Sequence, residues 1–171
     1  TGSSNVAVGQ GALTTQTTAD NNTAVGKDAL TANTSGTRNV AVGNYALDAN
    51  TTANDNVAVG QDCLGGNTTG ANNTAMGAYA LRVSTSDNNT CVGHNAGFNV
   101  STGAQVTAFG KNALYSNTTG TDVTAVGYAA LYNNNASRNC AFGYYSQFGT
   151  TTGIRNISMG MYSLQSNTTG N

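Results

Sequence analysis

The residues of this chain that could support catalysis or metal binding are few and dispersed. A general base needs a positioned partner, and no carboxylate is expected beside the single histidine, His94. Cys63, Cys91 and Cys140 form neither a Cys-x-x-Cys pair nor a zinc-binding spacing. The seven acidic residues, all Asp, are scattered without a calcium-binding pattern. The sequence therefore predicts no catalytic residue, cofactor or metal ligand.

The amino-acid composition argues against some classes of binding partner. Only 38% of the residues are hydrophobic and 8% are charged, both low for an ordinary globular domain. Six basic residues against seven acidic ones provide no basic surface that could follow a phosphate backbone, so we expect no nucleic-acid partner. No apolar run approaches the roughly 18 residues of a membrane helix, so we expect no membrane insertion of this segment.

The elements that must position any functional residue are internal repeats. The unit Asn-Val-Ala-Val-Gly at 5–9 recurs along the chain at intervals of 16 or 17 residues. Its motif glycines are Gly9, Gly26, Gly43, Gly60, Gly77, Gly93, Gly110, Gly127, Gly143 and Gly160. Because disordered low-complexity sequence does not keep such a register, we assign residues 1–171 to a single repeat array.

Alignment on the motif glycine predicts the fold. A large apolar residue stands one position before the glycine, a small residue two before, and a mostly β-branched residue three before. This alternation predicts a short strand that ends at a glycine corner. A small residue and a Leu, three and four positions after the glycine in eight units, predict a second short strand, and Thr/Asn/Gly loops such as 67–70 return the chain. The expected fold class is all-β, a parallel β-solenoid or β-roll of ten coils, stacked about 4.8 Å apart.

An Asn column precedes the strands. Asn stands four residues before the glycine in eight units, and Val106 and Val123 replace it in the others. Stacked amides hydrogen-bond up such a column, so we predict a structural ladder. Its members are Asn5, Asn22, Asn39, Asn56, Asn73, Asn89, Asn139 and Asn156.

Two substitutions in the Leu column indicate a packed interior. Gly97 and Gln147 replace Leu, and each is followed by phenylalanine, Phe98 or Phe148. We expect these rings to fill the core in place of the missing leucines. The three cysteines replace Ala- or Val-type residues, and we expect them to be small buried side chains.

The strand pattern also bears on oligomeric state. Large residues face one side of each strand and small residues the other, and neither column carries a charge. A strand that is apolar on both faces requires cover on both. The small residues suit a narrow interior, so the other face needs a neighbour, of which another copy of this chain is the simplest.

Residues 5–13 and 21–30 carry a family resemblance. Asn-Val-Ala-Val-Gly-Gln-Gly-Ala-Leu and Asn-Asn-Thr-Ala-Val-Gly-Lys-Asp-Ala-Leu resemble the head repeats of trimeric autotransporter adhesins. They are also similar to the Asn-Thr-Ala-Val-Gly-x-x-Ala-Leu…Asn-Thr-Thr-Gly arrays of phage and bacterial tail-fibre-domain proteins. The similarity extends from Asn5 to Gly170, with a unit longer than that of the best-known adhesin heads. It implies a left-handed solenoid, a homotrimer, and an extracellular location on a cell surface or virion.

Aromatic residues accumulate in the second half of the chain. Phe98, Tyr115, Tyr132 and Phe148 share one column, Tyr128 pairs with Tyr144, and Tyr145 pairs with Tyr162. Exposed rings of this kind stack on sugars, which would suit a cell-surface glycan or receptor. The alternative, which the pattern favours, is that the rings cover the core and support the stack.

The leading functional hypothesis is a non-enzymatic structural or adhesive fibre segment, such as an adhesin head or a tail-fibre shaft. Thr1-Gly2 and Gly170-Asn171 interrupt a repeat, so we expect a longer array or a unit that stacks end to end. One alternative is a self-assembling extracellular filament with head-to-tail subunits. Another is an ice- or surface-binding solenoid, because Thr74, Thr90, Thr107 and Thr124 occupy one column.

Overall fold

The computed structural model describes residues 2–170, and the two terminal residues used to predict a longer array, Thr1 and Asn171, lie outside them. The described chain contains ten short strands and no helix. They are β1 Val6–Val8, β2 Thr23–Val25, β3 Val40–Val42, β4 Val57–Val59, β5 Thr74–Met76, β6 Thr90–Val92, β7 Val106–Phe109, β8 Val123–Val126, β9 Cys140–Phe142 and β10 Ile157–Met159. Each strand pairs in parallel with the next to form one sheet in sequence order. This confirms the predicted all-β parallel solenoid; its handedness stays a prediction.

Strand register follows the repeat. Ala24 pairs with Ala41, and Ala41 with Ala58, so equivalent residues stack along the solenoid. These alanines are fully buried, whereas the flanking residues of each strand are half-buried or exposed. The small column therefore faces the interior, because successive side chains of a strand point to opposite sides.

The glycine corner has a steric cause. Motif glycines adopt φ between +115° and +140°, a region that other residues rarely enter. A Cβ on Gly9 would lie only 2.5 Å from the carbonyl oxygen of Gly26 in the next coil. Close stacking of the coils thus excludes side chains at the corner.

The predicted second strand is wrong. The residues after the corner form turns, with left-handed backbone at two alternating positions, such as Asp28 (φ +55°) and Leu30 (φ +51°). This segment still bonds between coils: the Leu30 N–H donates to the Ala46 carbonyl at 3.0 Å. A left-handed residue costs about 1–2 kcal/mol, which burial of a Leu side chain, worth about 1.5–3 kcal/mol, offsets. The Leu column therefore serves the core without forming a strand.

The prediction that Phe98 and Phe148 fill the core is also wrong. Both rings lie half-buried on the outside of the solenoid. Around Gly97 the interior is filled by Cys91, Leu81 and Val100, whose side-chain atoms lie 2.7, 3.1 and 3.4 Å from where a Cβ would stand.

In the ninth coil Gln147 itself is fully buried. Its Nε2 donates to the Cys140 carbonyl at 3.1 Å and to the Ser158 Oγ at 2.9 Å. Ser146 and Ser158 complete this polar section of core with a 2.5 Å contact between their hydroxyl oxygens. Hydrogen bonding between small polar residues thus substitutes for apolar packing at this level.

Candidate functional site

The Asn column lies inside the solenoid and links neighbouring coils through the backbone. The N–H of Asn39 donates to the Oδ1 of Asn22 at 2.9 Å, and the N–H of Asn56 to the Oδ1 of Asn39 at 3.0 Å. The same bond is repeated from Asn22 to Asn5, from Asn73 to Asn56, from Asn89 to Asn73 and from Asn156 to Asn139. Amide-to-amide bonds, as between Asn39 and Asn22 at 3.2 Å, are secondary.

The other end of each amide reaches across the coil. The Nδ2 of Asn56 donates to the Gly70 carbonyl at 2.9 Å, and that of Asn22 to the Gly36 carbonyl at 2.8 Å. Each Asn therefore joins the strand to the return loop and to the next coil, which makes this column structural and not a ligand site.

Sequence reasoning missed a second buried Asn column, seven residues after the glycine. Asn33, Asn50, Asn67, Asn117 and Asn134 are all fully buried. The Nδ2 of Asn67 donates to the same Gly70 carbonyl as Asn56, at 2.8 Å. The signal lies in the loop sequences, where Asn stands seven residues after the motif glycine in six of the ten units. Because Asn67 and Asn117 are buried, the glycosylation sequons that begin there are inaccessible in the folded chain.

The two Val substitutions in the first Asn column lengthen their strands. β7 and β8 have four residues, and Val106 pairs with Val123. Both valines are about 1% exposed. Without the Asn side chain, ordinary strand pairing extends by one residue.

One outward surface is the sheet face, formed by the residues one and three positions before each motif glycine, from Val6 and Val8 to Ile157 and Met159. It carries no charged residue. Its side chains are half-buried or exposed, with Met76 at 44% and Phe109 at 41%. The sheet face is thus a long, uncharged β-surface, as the strand pattern predicts.

The cysteines divide between the interior and the sheet face. All three are free thiols, and Cys63 and Cys91 are buried as expected. Burial raises the pKa of Cys63 to about 12 and that of Cys91 still further, which keeps both thiols protonated and unreactive. Cys140 is not a core residue: it is half-buried on the outward side of β9.

A second outward surface, the turn face, is formed by residues one, two and five positions after each motif glycine. Its upper part holds a continuous aromatic stack. Phe98, Tyr115, Tyr132 and Phe148 lie ring on ring, with centroids 5.2, 5.0 and 5.1 Å apart and planes within about 21° of parallel. Burial raises the pKa of Tyr132. Since each ring covers the face of the next, this column offers edges and not faces to a ligand, which favours the supporting role.

Four tyrosines of the next columns form what we term the tyrosine patch: Tyr128, Tyr144, Tyr145 and Tyr162. Tyr128 and Tyr144 are stacked at 5.3 Å, and Tyr145 and Tyr162 at 5.9 Å. Tyr144 meets Tyr162 edge to face at 86°. Tyr128, Tyr144 and Tyr162 are 37%, 43% and 47% exposed. The structure therefore divides the eight predicted aromatic residues into a stacked support and an exposed patch.

The two aromatic groups are joined. Tyr145 lies 4.9 Å from Phe148 between ring centroids. Burial raises the pKa values of Tyr144 and Tyr145, so their hydroxyls remain protonated donors at neutral pH.

The lower part of the turn face is charged instead. The Arg82 Nε lies 2.6 Å from an Asp62 carboxylate oxygen, and the Lys27 Nζ donates to the Tyr45 hydroxyl at 2.8 Å. Burial, reinforced by the nearby Asp62, raises the pKa of Asp48. One solenoid face therefore changes from charged to aromatic along its length.

Among residues 2–170, His94 is exposed, and its ring meets Tyr79 edge to face at 6.1 Å. Within this range there is no cluster of three or more His, Cys, Asp or Glu residues that could hold a metal, and no pocket. The same range has no helix long and apolar enough to span a bilayer.

Comparison with known proteins assigns no family to this chain. No family model matches the chain, and no curated protein or solved structure matches it.

Proposed function

We propose that this chain is a segment of a non-enzymatic extracellular fibre, structural or adhesive in role, in which three copies pack through their sheet faces. The observation that carries the proposal is the uncharged sheet face, which runs the length of ten strands and is only half-buried in the single chain. Apart from five threonines this face is apolar, and large exposed apolar patches of soluble proteins mark interaction sites. The repeat resemblance supports three copies and a cell-surface or virion location.

The interior geometry supports a stiff shaft. Every coil is bonded to the next by strand pairing and by the turn segment, and the Asn column adds a further bond wherever Asn occupies it. Such an array extends in one dimension and holds whatever lies at its ends at a fixed distance.

A charge in the middle of the sheet face tests the assembly. We expect the wild-type chain to sediment at three times its 17.2 kDa mass. Val59→Lys places an unpaired ammonium group in the interface from each copy, and we expect it to weaken association by roughly a hundredfold or more, because such a charge costs several kcal/mol to bury. Sedimentation velocity measures the mass, and circular dichroism verifies that the variant remains folded.

Thr69→Lys is the matched control, since it adds the same charge to an exposed loop residue and leaves the sheet face intact. A monomeric wild-type chain, or a Val59→Lys variant that assembles as well as Thr69→Lys, would refute packing through this surface. Negative-stain images that show an unbroken helical polymer of this unit would support the head-to-tail filament instead.

A second candidate, an ice- or surface-binding solenoid, draws on one observation. Thr74, Thr90, Thr107 and Thr124 are in register across β5 to β8 and half-buried on the sheet face. The neighbouring column alternates Met76, Val92, Phe109 and Val126, which breaks the flatness that a regular surface would need. Thermal hysteresis of a chain solution would favour this candidate, and its absence would remove it.

A further inference from the structure

The tyrosine patch has a chemical setting that the fibre role does not use. The turn face changes character near the middle of the chain. In the first five coils it holds three acidic and two basic residues, Asp28, Asp48, Asp62, Lys27 and Arg82. From the sixth coil onwards it holds one lysine, Lys111, and no acidic residue. The one acidic residue of these coils, Asp122, lies off this face, 4.0 Å from the Arg138 guanidinium. The upper turn face therefore combines aromatic rings with one cation and no carboxylate.

Lys111 and His94 line up with the patch. The Ala129 N–H donates to the Lys111 carbonyl and the Asn112 N–H to the His94 carbonyl, both at 3.0 Å, so successive coils are in register here. His94, Lys111, Tyr128 and Tyr144 consequently follow one another in the column directly after the motif glycine. All four are exposed.

We propose that the tyrosine patch, with Lys111 beside it, binds an acidic saccharide. Tyrosine offers a large rigid surface at low conformational cost together with a hydroxyl donor, and the edges of its ring are electropositive. A polyhydroxylated chain with carboxylates uses all three features: its C–H faces contact the rings, its hydroxyls meet the phenols, and its carboxylates are attracted to Lys111. On the lower turn face three carboxylates, those of Asp28, Asp48 and Asp62, outnumber the two cations, which lie beside them at Lys27 and Arg82, so the same ligand is favoured at the upper coils.

The test measures the affinity of the full chain for a galacturonate hexasaccharide by titration calorimetry at neutral pH and low salt. We expect Tyr144→Ala to weaken binding about tenfold, as loss of a central aromatic contact does. Lys111→Gln should weaken it about threefold and reduce its dependence on salt, since an exposed charge acts through screened attraction. Tyr144→Phe keeps the ring and should lose less than Tyr144→Ala.

Tyr45→Ala is the control, because Tyr45 is an exposed tyrosine of the same face that also has a lysine beside it, Lys27, but stands between Asp28 and Asp62 in its column. Equal binding of the uncharged maltohexaose, an equal effect of Tyr45→Ala and Tyr144→Ala, or no binding by the wild-type chain would each overturn the proposal. The proposal rests on the adhesive form of the proposed function, yet an experiment can contradict either one without contradicting the other. Assembly is read from sedimentation and requires the sheet face, whereas saccharide binding is read by calorimetry and requires the turn face.

Discussion

At the scale of single residues, the motif glycine is the position that the stacking constrains most directly. Two effects act on it, the positive φ and the close approach of the next coil. Gly77 and Gly160 separate these effects. A Cβ on Gly77 would lie 2.7 Å from the carbonyl group of Gly93, whereas a Cβ on Gly160 would meet nothing within 4 Å. Their φ values, +125° and +115°, are similar.

We therefore expect Gly77→Ala to destabilise the chain more than Gly160→Ala. The backbone strain common to both variants costs about 1–3 kcal/mol. Gly77→Ala must in addition separate two coils, so its loss in free energy of unfolding should be roughly twice as large. Urea unfolding followed by circular dichroism measures both. Equal losses would mean that backbone strain alone explains the glycine repeat.

At the scale of elements, the solenoid depends on columns of buried amides as much as on its sheet. Asn56 accepts from the Asn73 N–H at 2.9 Å and donates to the Gly70 carbonyl at 2.9 Å, and its side chain is fully buried. Since no water reaches these groups, their hydrogen bonds are obligatory.

Asn56→Ala should lower the free energy of unfolding by about 1–3 kcal/mol, because it leaves the buried Asn73 N–H without its acceptor and removes one of the two side-chain donors to the Gly70 carbonyl. Asn44→Ala, which removes an exposed amide that accepts from the Lys27 N–H at 3.2 Å, should cost less than about 1 kcal/mol. Thermal or urea unfolding compares the two variants. If they were equally stable, the Asn column would be a by-product of loop composition and not a structural element.

At the scale of the whole molecule, the sheet face and the turn face lie on either side of the glycine corner and suit different tasks. The sheet face is uncharged and fits copies of the chain, and the turn face carries the tyrosine patch. Cys140 provides a natural probe of the sheet face, because Cys63 and Cys91 are buried within the solenoid.

We expect iodoacetamide to modify Cys140 in the dissociated Val59→Lys chain and to modify it at least about tenfold more slowly in the assembled wild-type chain, where a neighbouring copy covers it. Cys63 and Cys91 should react only after unfolding, since burial raises the pKa of both thiols and blocks access. Mass spectrometry of tryptic peptides locates the modification. Rapid labelling of Cys140 in the assembled chain would place the interface elsewhere.

Much of this architecture is determined by the sequence itself. A period of 16 or 17 residues, a small residue that alternates with large ones, and a glycine at every corner specify parallel stacked strands, because each of these patterns reports a local steric requirement. The inward direction of the Ala column and the exposure of His94 follow from the same local patterns.

Only the tertiary structure decided how the remaining columns are used. Leu30 belongs to a column for which the sequence predicts a strand, but it lies in a turn with a left-handed backbone. Burial of its side chain and the hydrogen bond from its N–H to the next coil outweigh the free-energy cost of that backbone conformation. Phe148 follows a missing Leu yet lies outside, because Gln147 finds buried hydrogen-bond partners in the strand of its own coil, at Cys140, and in the next coil, at Ser158. Whether the rings of Tyr115 and Tyr132 face a ligand or each other depends on the stacking of their coils, which places the ring centroids 5.0 Å apart. Contacts between coils decide these outcomes, and a residue's type and position within its own repeat do not specify them.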